Sequence, residues 1–272
     1  MSGSGNDFIF FDARRDPAGD LESPARIREL CARGTGVGAD GVVFLVPSET
    51  ADFGIRYYNA DGSLASLCGN ASLCSTRLAA ELGIAASAGM RFETGAGTLS
   101  ARLRDADRQP EIDLEPVTSL RLAVDEIPLQ TGERRVGYAV AGVPHLVVLC
   151  DDVEAVDVAA RGPGRRSHPT VGPEGANVNW VSPRAGGGAK QVWAIRTFER
   201  GVEGETLACG TGAVASGAVL AAWGQAPASG TSLVTRSGRT LRVSFKTDGS
   251  GTVRPSLSGE GRVVFRGELG EL

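Results

Sequence analysis

Two cysteines stand at equivalent places in the sequence, each directly before a glycine and a run of small residues. Cys68 begins "CGNASLC", Cys209 begins "CGTGAVA", and a further glycine, Gly83 or Gly224, follows each cysteine after 15 residues. A single free cysteine is most often a small buried apolar residue. Each of these two precedes a predicted helix, however, and a helix N-terminus stabilises a thiolate and binds anions such as a carboxylate.

Two thiols at helix starts suit the inversion of a carbon that carries a carboxylate. One thiolate would remove the proton next to the carboxylate as a general base, and a thiol on the opposite face would return a proton as a general acid. Backbone N–H groups at the two helix starts would stabilise the negative charge that develops on the carboxylate. The residues that would supply them are Gly69, Asn70, Gly210 and Thr211.

The segments that carry the cysteines are internal repeats. Residues 54–83 and 194–224 each read as a strand, a loop, a Cys-Gly turn and a helix. Repetition of this kind predicts two similar halves, each contributing one thiol. We expect one half to span 1–117, joined by a C-terminal strand at 262–272, and the other half to span 118–261.

Short β-rich runs make up most of the remaining sequence. Helices are predicted only at 24–33, 69–82 and 210–223, and a last strand is predicted at 261–269. Ser23 and Pro24 are typical of a helix N-cap and first helical position. Many strands with few helices indicate an α+β protein.

Composition excludes several classes of partner. The chain has 272 residues, 42% of them hydrophobic and 22% charged, with a net charge of −4, whereas a nucleic-acid-binding surface would be basic. No apolar run approaches the ~18 residues of a membrane-spanning helix, and no signal peptide is apparent at the start. Five cysteines, an odd and low number, favour reduced thiols and a cytoplasmic location. We therefore expect a small-molecule substrate, neither nucleic acid nor membrane as partner, and a homodimer as the candidate assembly.

No motif for a cofactor or a metal stands out. "GVGADG" (36–41) has the glycine spacing of a dinucleotide-binding turn, but it follows a predicted helix and precedes a predicted strand, which is the reverse of the required order. Cys68 and Cys74 are too far apart for a CxxC pair. The two histidines, His145 and His168, show no ligand spacing with the cysteines. We predict no bound cofactor and no metal.

Taken together, these motifs resemble the diaminopimelate epimerase family, whose members are cofactor-independent isomerases with two cysteines. The resemblance implies two pseudo-symmetric halves, each a barrel-like β-sheet around a central helix, with the active site in a cleft. The matching motifs are "GSGNDF" (3–8), "GVGADG" (36–41), "YNADGS" (58–63), "CGN" (68–70), "PH" (144–145), "NVN" (177–179) and "ERGVEGETLACGTGA" (199–213).

The resemblance also implies roles for individual residues. The catalytic pair falls on Cys68 and Cys209, and their polarising partners fall on His145 and Glu199. Arg200 would bind a second, distal carboxylate, which a guanidinium recognises well. The substrate-binding residues implied by the family are Asn6, Asn59, Gly69, Asn70, Asn177, Arg200, Gly210 and Thr211.

Four positions depart from the family pattern. Ala71 and Leu73 stand where the family has a glycine and an arginine, Ser66 replaces an acidic residue, and Val143 replaces an asparagine. Diaminopimelate is the leading substrate because Asn177, Glu199 and Arg200 are all present. The alternative is another polar α-amino acid, of the O-ureidoserine or histidine type. A thiol–disulfide protein and a non-catalytic amino-acid-binding relative are further alternatives.

Overall fold

The computed structural model of the chain describes residues 1–184, 191–247, 249 and 252–270. The chain divides into two compact units, which we call unit 1 (Met1–Asp113 and Ser258–Leu272) and unit 2 (Leu114–Leu257). Both units are mixed β-sheets with few helices, so the predicted α+β class is confirmed. None of the helices in the described ranges has the length and apolar character needed to cross a membrane.

Unit 1 is a mixed sheet with two α-helices among its described residues. Strands β2 and β3 pair in parallel, as do β4 and β6, and the remaining pairs β1–β2, β3–β4, β4–β5, β6–β7 and β7–β8 are antiparallel. The elements in chain order are β1 (Ser2–Gly3), β2 (Asn6–Asp12), α1 (Pro24–Cys31), β3 (Gly41–Val46), β4 (Phe53–Asn59), β5 (Leu64–Ala65), α2 (Gly69–Glu81), β6 (Met90–Thr94), β7 (Gly97–Leu103) and β8 (Pro110–Asp113).

Helix α2 lies at the centre of unit 1. It contacts β1, β7 and β8, and most of its residues are buried. Cys68 is its N-cap, with extended backbone (φ −134°, ψ 118°). The helix ends at Glu81, and two residues later Gly83 has a φ of +64°, in the left-handed region that glycine adopts at low cost. The sheet therefore encloses the helix and fixes the position of its first turn.

Unit 2 repeats this arrangement. Strands β11–β12 and β13–β15 pair in parallel, and β9–β10, β10–β11, β12–β13, β13–β14 and β15–β16 pair antiparallel. Its elements are β9 (Thr118–Arg121), β10 (Glu133–Ala141), β11 (Val143–Cys150), α3 (Val158–Arg166), β12 (Asn177–Pro183), β13 (Val192–Glu199), β14 (Gly204–Thr206), α4 (Gly210–Ala222), β15 (Gly230–Val234), β16 (Thr240–Thr247) and β17 (Val253–Ser258), the last of which ends at the boundary with unit 1.

Helix α4 is the counterpart of α2 within unit 2. Its N-cap is Cys209, whose backbone (φ −125°, ψ 113°) nearly matches that of Cys68. It ends at Ala222 and is also followed two residues later by a glycine in the left-handed region, Gly224, with a φ of +70°. The helix contacts β10, β11, β12, β15 and β16. The repeat seen in the sequence thus corresponds to two copies of one topology, each with a cysteine at the same helix position.

Two sequence-based predictions about elements are wrong. The strand predicted over 261–269 does not form, because the neighbouring β1 is only two residues long and pairs through the single bridge Ser2–Arg262. Its apolar side chains, such as Phe265, are exposed instead. Residues 271–272 of the predicted C-terminal strand lie outside the described residues.

Helix α3 was not predicted, because its sequence contains two glycines and a proline that disfavour helices. Asp157 caps it by accepting a hydrogen bond from the N–H of Ala160 at 3.0 Å. A Cβ at Gly162 would lie 2.3 Å from the ring of Phe198. The glycine therefore allows the helix to pack directly on β13, and this tertiary contact outweighs the poor local propensity.

Candidate active site

Cys209 lies at the start of α4 and is almost fully buried, with 8% of its surface exposed. Its Sγ accepts a hydrogen bond from the N–H of Gly212 at 3.4 Å, and it lies 3.6 Å from Oγ1 of Thr211. The thiol is therefore held at the helix N-terminus, next to Gly210 and Thr211, as the sequence predicted. Gly142, in the turn between β10 and β11, lies beside the Thr211 methyl group.

The protonation state of Cys209 differs from the sequence-based expectation. A helix N-terminus was expected to lower the thiol pKa, but burial raises the pKa of Cys209 well above its usual value. The negative charge of Glu199 raises the pKa further, while hydrogen bonds from Thr211 and Gly212 oppose the shift. The raised pKa favours the protonated form of Cys209, which is suited to donate a proton.

Glu199 is the last residue of β13, and its carboxylate contacts the Cys209 thiol. The hydroxyl of Thr206 donates a hydrogen bond of 2.6 Å to Oε1 of Glu199. Thr206 lies on β14, where Arg196 holds the adjacent Glu205 by two bonds of 2.6 and 2.7 Å. No role was predicted for Thr206, although it lies within the motif "ERGVEGETLACGTGA" (199–213).

His145 lies on β11 and is fully buried. Its Nδ1 lies 3.2 Å from the side-chain nitrogen of Asn179. Burial lowers the pKa of His145 to about 3, and the nearby positive charge of Arg200 acts in the same direction. The imidazole is therefore neutral at any pH at which the protein would work.

Asn177 and Arg200 contact each other at the ends of β12 and β13. Oδ1 of Asn177 accepts a hydrogen bond of 2.7 Å from the backbone N–H of Arg200. The guanidinium lies 3.4 Å from the backbone oxygen and 3.8 Å from the carboxylate of Glu174, whose side chain is 84% exposed. An exposed pair of this kind contributes little, so the guanidinium can bind a carboxylate of a ligand.

Two of the predicted residues of unit 1, Asn6 and Asn70, are linked by their side-chain amides at the start of α2. Cys68 is half-buried at the N-cap, followed by Gly69. Nδ2 of Asn70 donates a hydrogen bond of 2.7 Å to Oδ1 of Asn6. Asn59 ends β4, and its side chain donates to the hydroxyl of Ser63 at 3.0 Å.

The motif "GVGADG", interpreted from sequence as a simple turn, supports Asn6. Oδ2 of Asp40 accepts a hydrogen bond from Nδ2 of Asn6 at 2.9 Å. Arg33 bridges Asp7 and Asp40 through bonds of 2.7 and 2.8 Å. A Cβ at Gly36 would lie 2.0 Å from a backbone oxygen of α1, so the turn requires glycine there. The motif therefore orients Asn6. This role was not predicted, because the order of helix and strand around the motif served only to exclude a dinucleotide-binding turn.

The four departures from the family pattern occupy different environments. Ala71 and Leu73 are fully buried in α2, so they are packing positions of unit 1. Ser66 is exposed before the helix, and Val143 is half-buried at the start of β11. An apolar leucine suits a buried helix position better than the arginine it replaces.

No group of three or more histidine, cysteine, aspartate or glutamate side chains in the described ranges is arranged to hold a metal ion. All five cysteines are free thiols. Cys31, Cys74 and Cys150 are buried, and burial raises their pKa values to between about 11 and about 12. Inert structural thiols have these properties.

Comparison with known proteins shows which family the chain resembles. The family model described as diaminopimelate epimerase matches residues 1–119 and 137–264. The chain is 52% identical to the diaminopimelate epimerase of Gemmatimonas aurantiaca, over 100% of this chain and 98% of the relative. It is 38% identical to the diaminopimelate epimerase of Aquifex aeolicus, over 100% of this chain and 96% of the relative.

Solved structures share the fold at much lower sequence identity. The phenazine biosynthesis protein of the PhzF family from Bacillus anthracis superimposes with a TM-score of 0.70 at 18% identity, covering 95% of this chain and 91% of that one. This likeness concerns the fold alone. The family match and the full-length relatives, by contrast, agree with the resemblance carried by the sequence motifs. The chain therefore belongs to the diaminopimelate epimerase family and is an isomerase.

Proposed function

We propose that the protein interconverts LL- and meso-diaminopimelate by inverting one α-carbon. The observation that carries this proposal is the pair of cysteines at matching helix N-caps, Cys68 on α2 and Cys209 on α4, in a chain of this family. Full-length relatives at 52% and 38% identity carry the name diaminopimelate epimerase, which supports this substrate.

The reaction proceeds by transfer of two protons. In one direction, the Cys68 thiolate takes the α-proton and becomes a thiol, and the electron pair passes into the carboxylate. The Cys209 thiol then delivers its proton to the opposite face of the carbon and becomes a thiolate. The raised pKa of Cys209 supports the role of acid in this direction. In the reverse direction, the two cysteines exchange roles.

Backbone and side-chain donors hold the two ends of the substrate. N–H groups in a first helical turn lack acceptors within the helix and stabilise charge on the reacting carboxylate. Arg200, supported by Asn177, binds the distal carboxylate, and Glu199 and His145 polarise the thiols. The N–H groups belong to Gly69, Asn70, Gly210 and Thr211, and the remaining polar contacts are Asn6 and Asn59. No cofactor takes part in this scheme.

The alternatives carry less support. An O-ureidoserine or histidine racemase was considered because Val143 replaces a polar residue, but the relatives at full length bear the name of the diaminopimelate enzyme. Family membership likewise favours an isomerase over a thiol–disulfide protein or a non-catalytic binder. We further propose a cytoplasmic enzyme that acts on a small molecule as a homodimer.

The test is a substrate panel with matched cysteine variants. LL-diaminopimelate, L-histidine and O-ureido-L-serine are each incubated with the purified protein, and the stereoisomers are separated. We expect turnover of diaminopimelate, with a loss of about 10²- to 10⁴-fold in Cys68→Ser and Cys209→Ser. Cys150→Ala, which removes a buried thiol of unit 2, is the control and should stay active. Turnover of another panel member alone, or an active Cys209→Ser variant, would overturn the proposal.

A further inference from the structure

A buried polar cluster that includes His145 connects β11, β12 and β13, and its other two members have no role in the proton transfers described so far. Its members are His145, Asn179 and Thr197, exposed by 0%, 0% and 3%. Nδ2 of Asn179 lies 2.9 Å from the backbone oxygen of Leu146 and 3.2 Å from Nδ1 of His145. Oδ1 of Asn179 accepts a hydrogen bond of 2.9 Å from the hydroxyl of Thr197. Every polar atom of the Asn179 side chain is therefore engaged.

The backbone oxygen of Leu146 determines which way the Asn179 amide is oriented. A carbonyl oxygen only accepts hydrogen bonds, so the atom that faces it must be the amide nitrogen. The hydroxyl of Thr197 lies at the other end of the amide, where it donates to Oδ1. A rotated amide would bring two oxygens together and is excluded by this contact.

The orientation of Asn179 in turn determines the tautomer of His145. An amide nitrogen carries hydrogens and cannot accept, so Nδ1 of His145 must be the acceptor in this pair. A neutral imidazole with a bare Nδ1 carries its proton on Nε2. Burial and the charge of Arg200 keep the ring neutral, since they lower its pKa to about 3.

Nε2 of His145 is buried and has no hydrogen-bond partner among the described residues. A buried donor without an acceptor destabilises a fold by about 1–3 kcal/mol. In a site that handles a carboxylate and thiolates, such a donor is suited to an anion that is present only during the reaction.

We propose that Asn179 is a positioning residue that holds His145 as the neutral Nε2–H tautomer, so that this histidine acts in the site as a hydrogen-bond donor and not as a base. The tautomer follows from contacts within unit 2. Only the identity of the acceptor, an anion of the reacting centre, rests on the proposed function.

Asn179 also contacts the start of α4, which links the histidine to the second thiol. A Cβ at Gly212 would lie 2.3 Å from Oδ1 of Asn179 and 3.2 Å from Sγ of Cys209. The glycine therefore lets the amide pack against the first turn of the helix. One side chain consequently fixes both the imidazole and the surroundings of the Cys209 thiol.

The test uses nitrogen NMR of protein labelled with ¹⁵N-histidine. The chain has only two histidines, so His168→Asn assigns the signals of His145. We expect wild-type His145 at pH 7 to carry its proton on Nε2, with Nδ1 bare. A wild-type His145 protonated on Nδ1, or on both nitrogens, would overturn the inference without any variant being needed.

Two variants separate positioning from packing. In Asn179→Asp the carboxylate cannot donate, so we expect the proton of His145 to move to Nδ1 and kcat to fall about 100-fold with KM nearly unchanged. In Thr197→Val the contact to Leu146 remains, so the Nε2–H tautomer should persist and kcat should stay within about 3-fold. An Asn179→Asp variant with the wild-type tautomer and kcat would refute the role of Asn179. If the wild type shows the expected tautomer but does not turn over diaminopimelate, the proposed function fails and the tautomer assignment stands.

Discussion

Lowering the pH from 7 to 5 should destabilise unit 2 through one buried histidine. His145 is fully buried, and its pKa in the folded chain is lowered to about 3. In the unfolded chain the pKa returns to about 6.5. At pH values between these two pKa values, His145 binds a proton in the unfolded chain but not in the folded chain. The free energy of unfolding therefore falls as the pH falls through this interval.

The size of the effect follows from the same two pKa values. Between pH 7 and pH 5, protonation of His145 in the unfolded chain raises the equilibrium constant for unfolding by about 1.4 logarithmic units. This change corresponds to a loss of about 2 kcal/mol in the free energy of unfolding. Other groups also titrate in this range, so the quantity to compare is the loss in the wild type minus the loss in a variant without the imidazole. His145→Asn is suitable because its side-chain oxygen can accept the hydrogen bond from Asn179.

The assay is urea unfolding at pH 7 and pH 5 followed by tryptophan fluorescence. All three tryptophans, Trp180, Trp193 and Trp223, lie in unit 2, so the signal reports on the unit that contains His145. We expect the wild type to lose about 2 kcal/mol more than His145→Asn between the two pH values. Equal losses in the two proteins would refute the burial argument, because they would mean that His145 binds its proton equally well in the folded chain.

Two further substitutions test the surroundings of Cys209. Gly212→Ala should cost about 1–3 kcal/mol of unfolding free energy, measured by urea titration, because its Cβ would lie 2.3 Å from Asn179. The control is Gly217→Ala in the same helix, whose Cβ meets only ordinary contacts, so this variant should be neutral or stabilising. Equal effects of the two alanines would contradict this packing argument. Thr206→Val removes the hydroxyl that donates to Glu199 and should lower kcat/KM by about 10-fold or more, consistent with a hydrogen bond to a charged group. An unchanged kcat/KM would show that Glu199 needs no such support.

The sequence predicted those features that depend on local pattern. The repeat, the strand-dominated topology and the cysteines at two helix N-caps all follow from residue types at short spacing, and the structure has them. The strand predicted at 261–269 failed for a non-local reason, since the neighbouring β1 offers only two residues for pairing. Helix α3 depends on tertiary packing at Gly162 in the same way.

The electrostatics of the site could not be predicted from local sequence patterns either. The helix N-terminus at Cys209 was visible in the sequence, but the burial that reverses the expected pKa shift is a property of the folded unit. The contact between His145 and Asn179 joins residues 34 positions apart, on parallel neighbouring strands whose register brings them together. Asn179 was seen only as part of a motif, because nothing in its immediate sequence indicates which side chain it contacts.

Transfer of deuterium from solvent tests the two-thiol account most directly. LL-diaminopimelate is incubated with the protein in deuterated water, and the unreacted substrate and the meso product are separated early in the reaction and examined by proton NMR. If Cys68 removes the proton and Cys209 delivers another from the opposite face, the product carries deuterium at the inverted α-carbon while the recovered substrate keeps its proton. Deuterium appearing equally fast in the recovered substrate, as a single base exchanging with solvent would produce, would contradict the account.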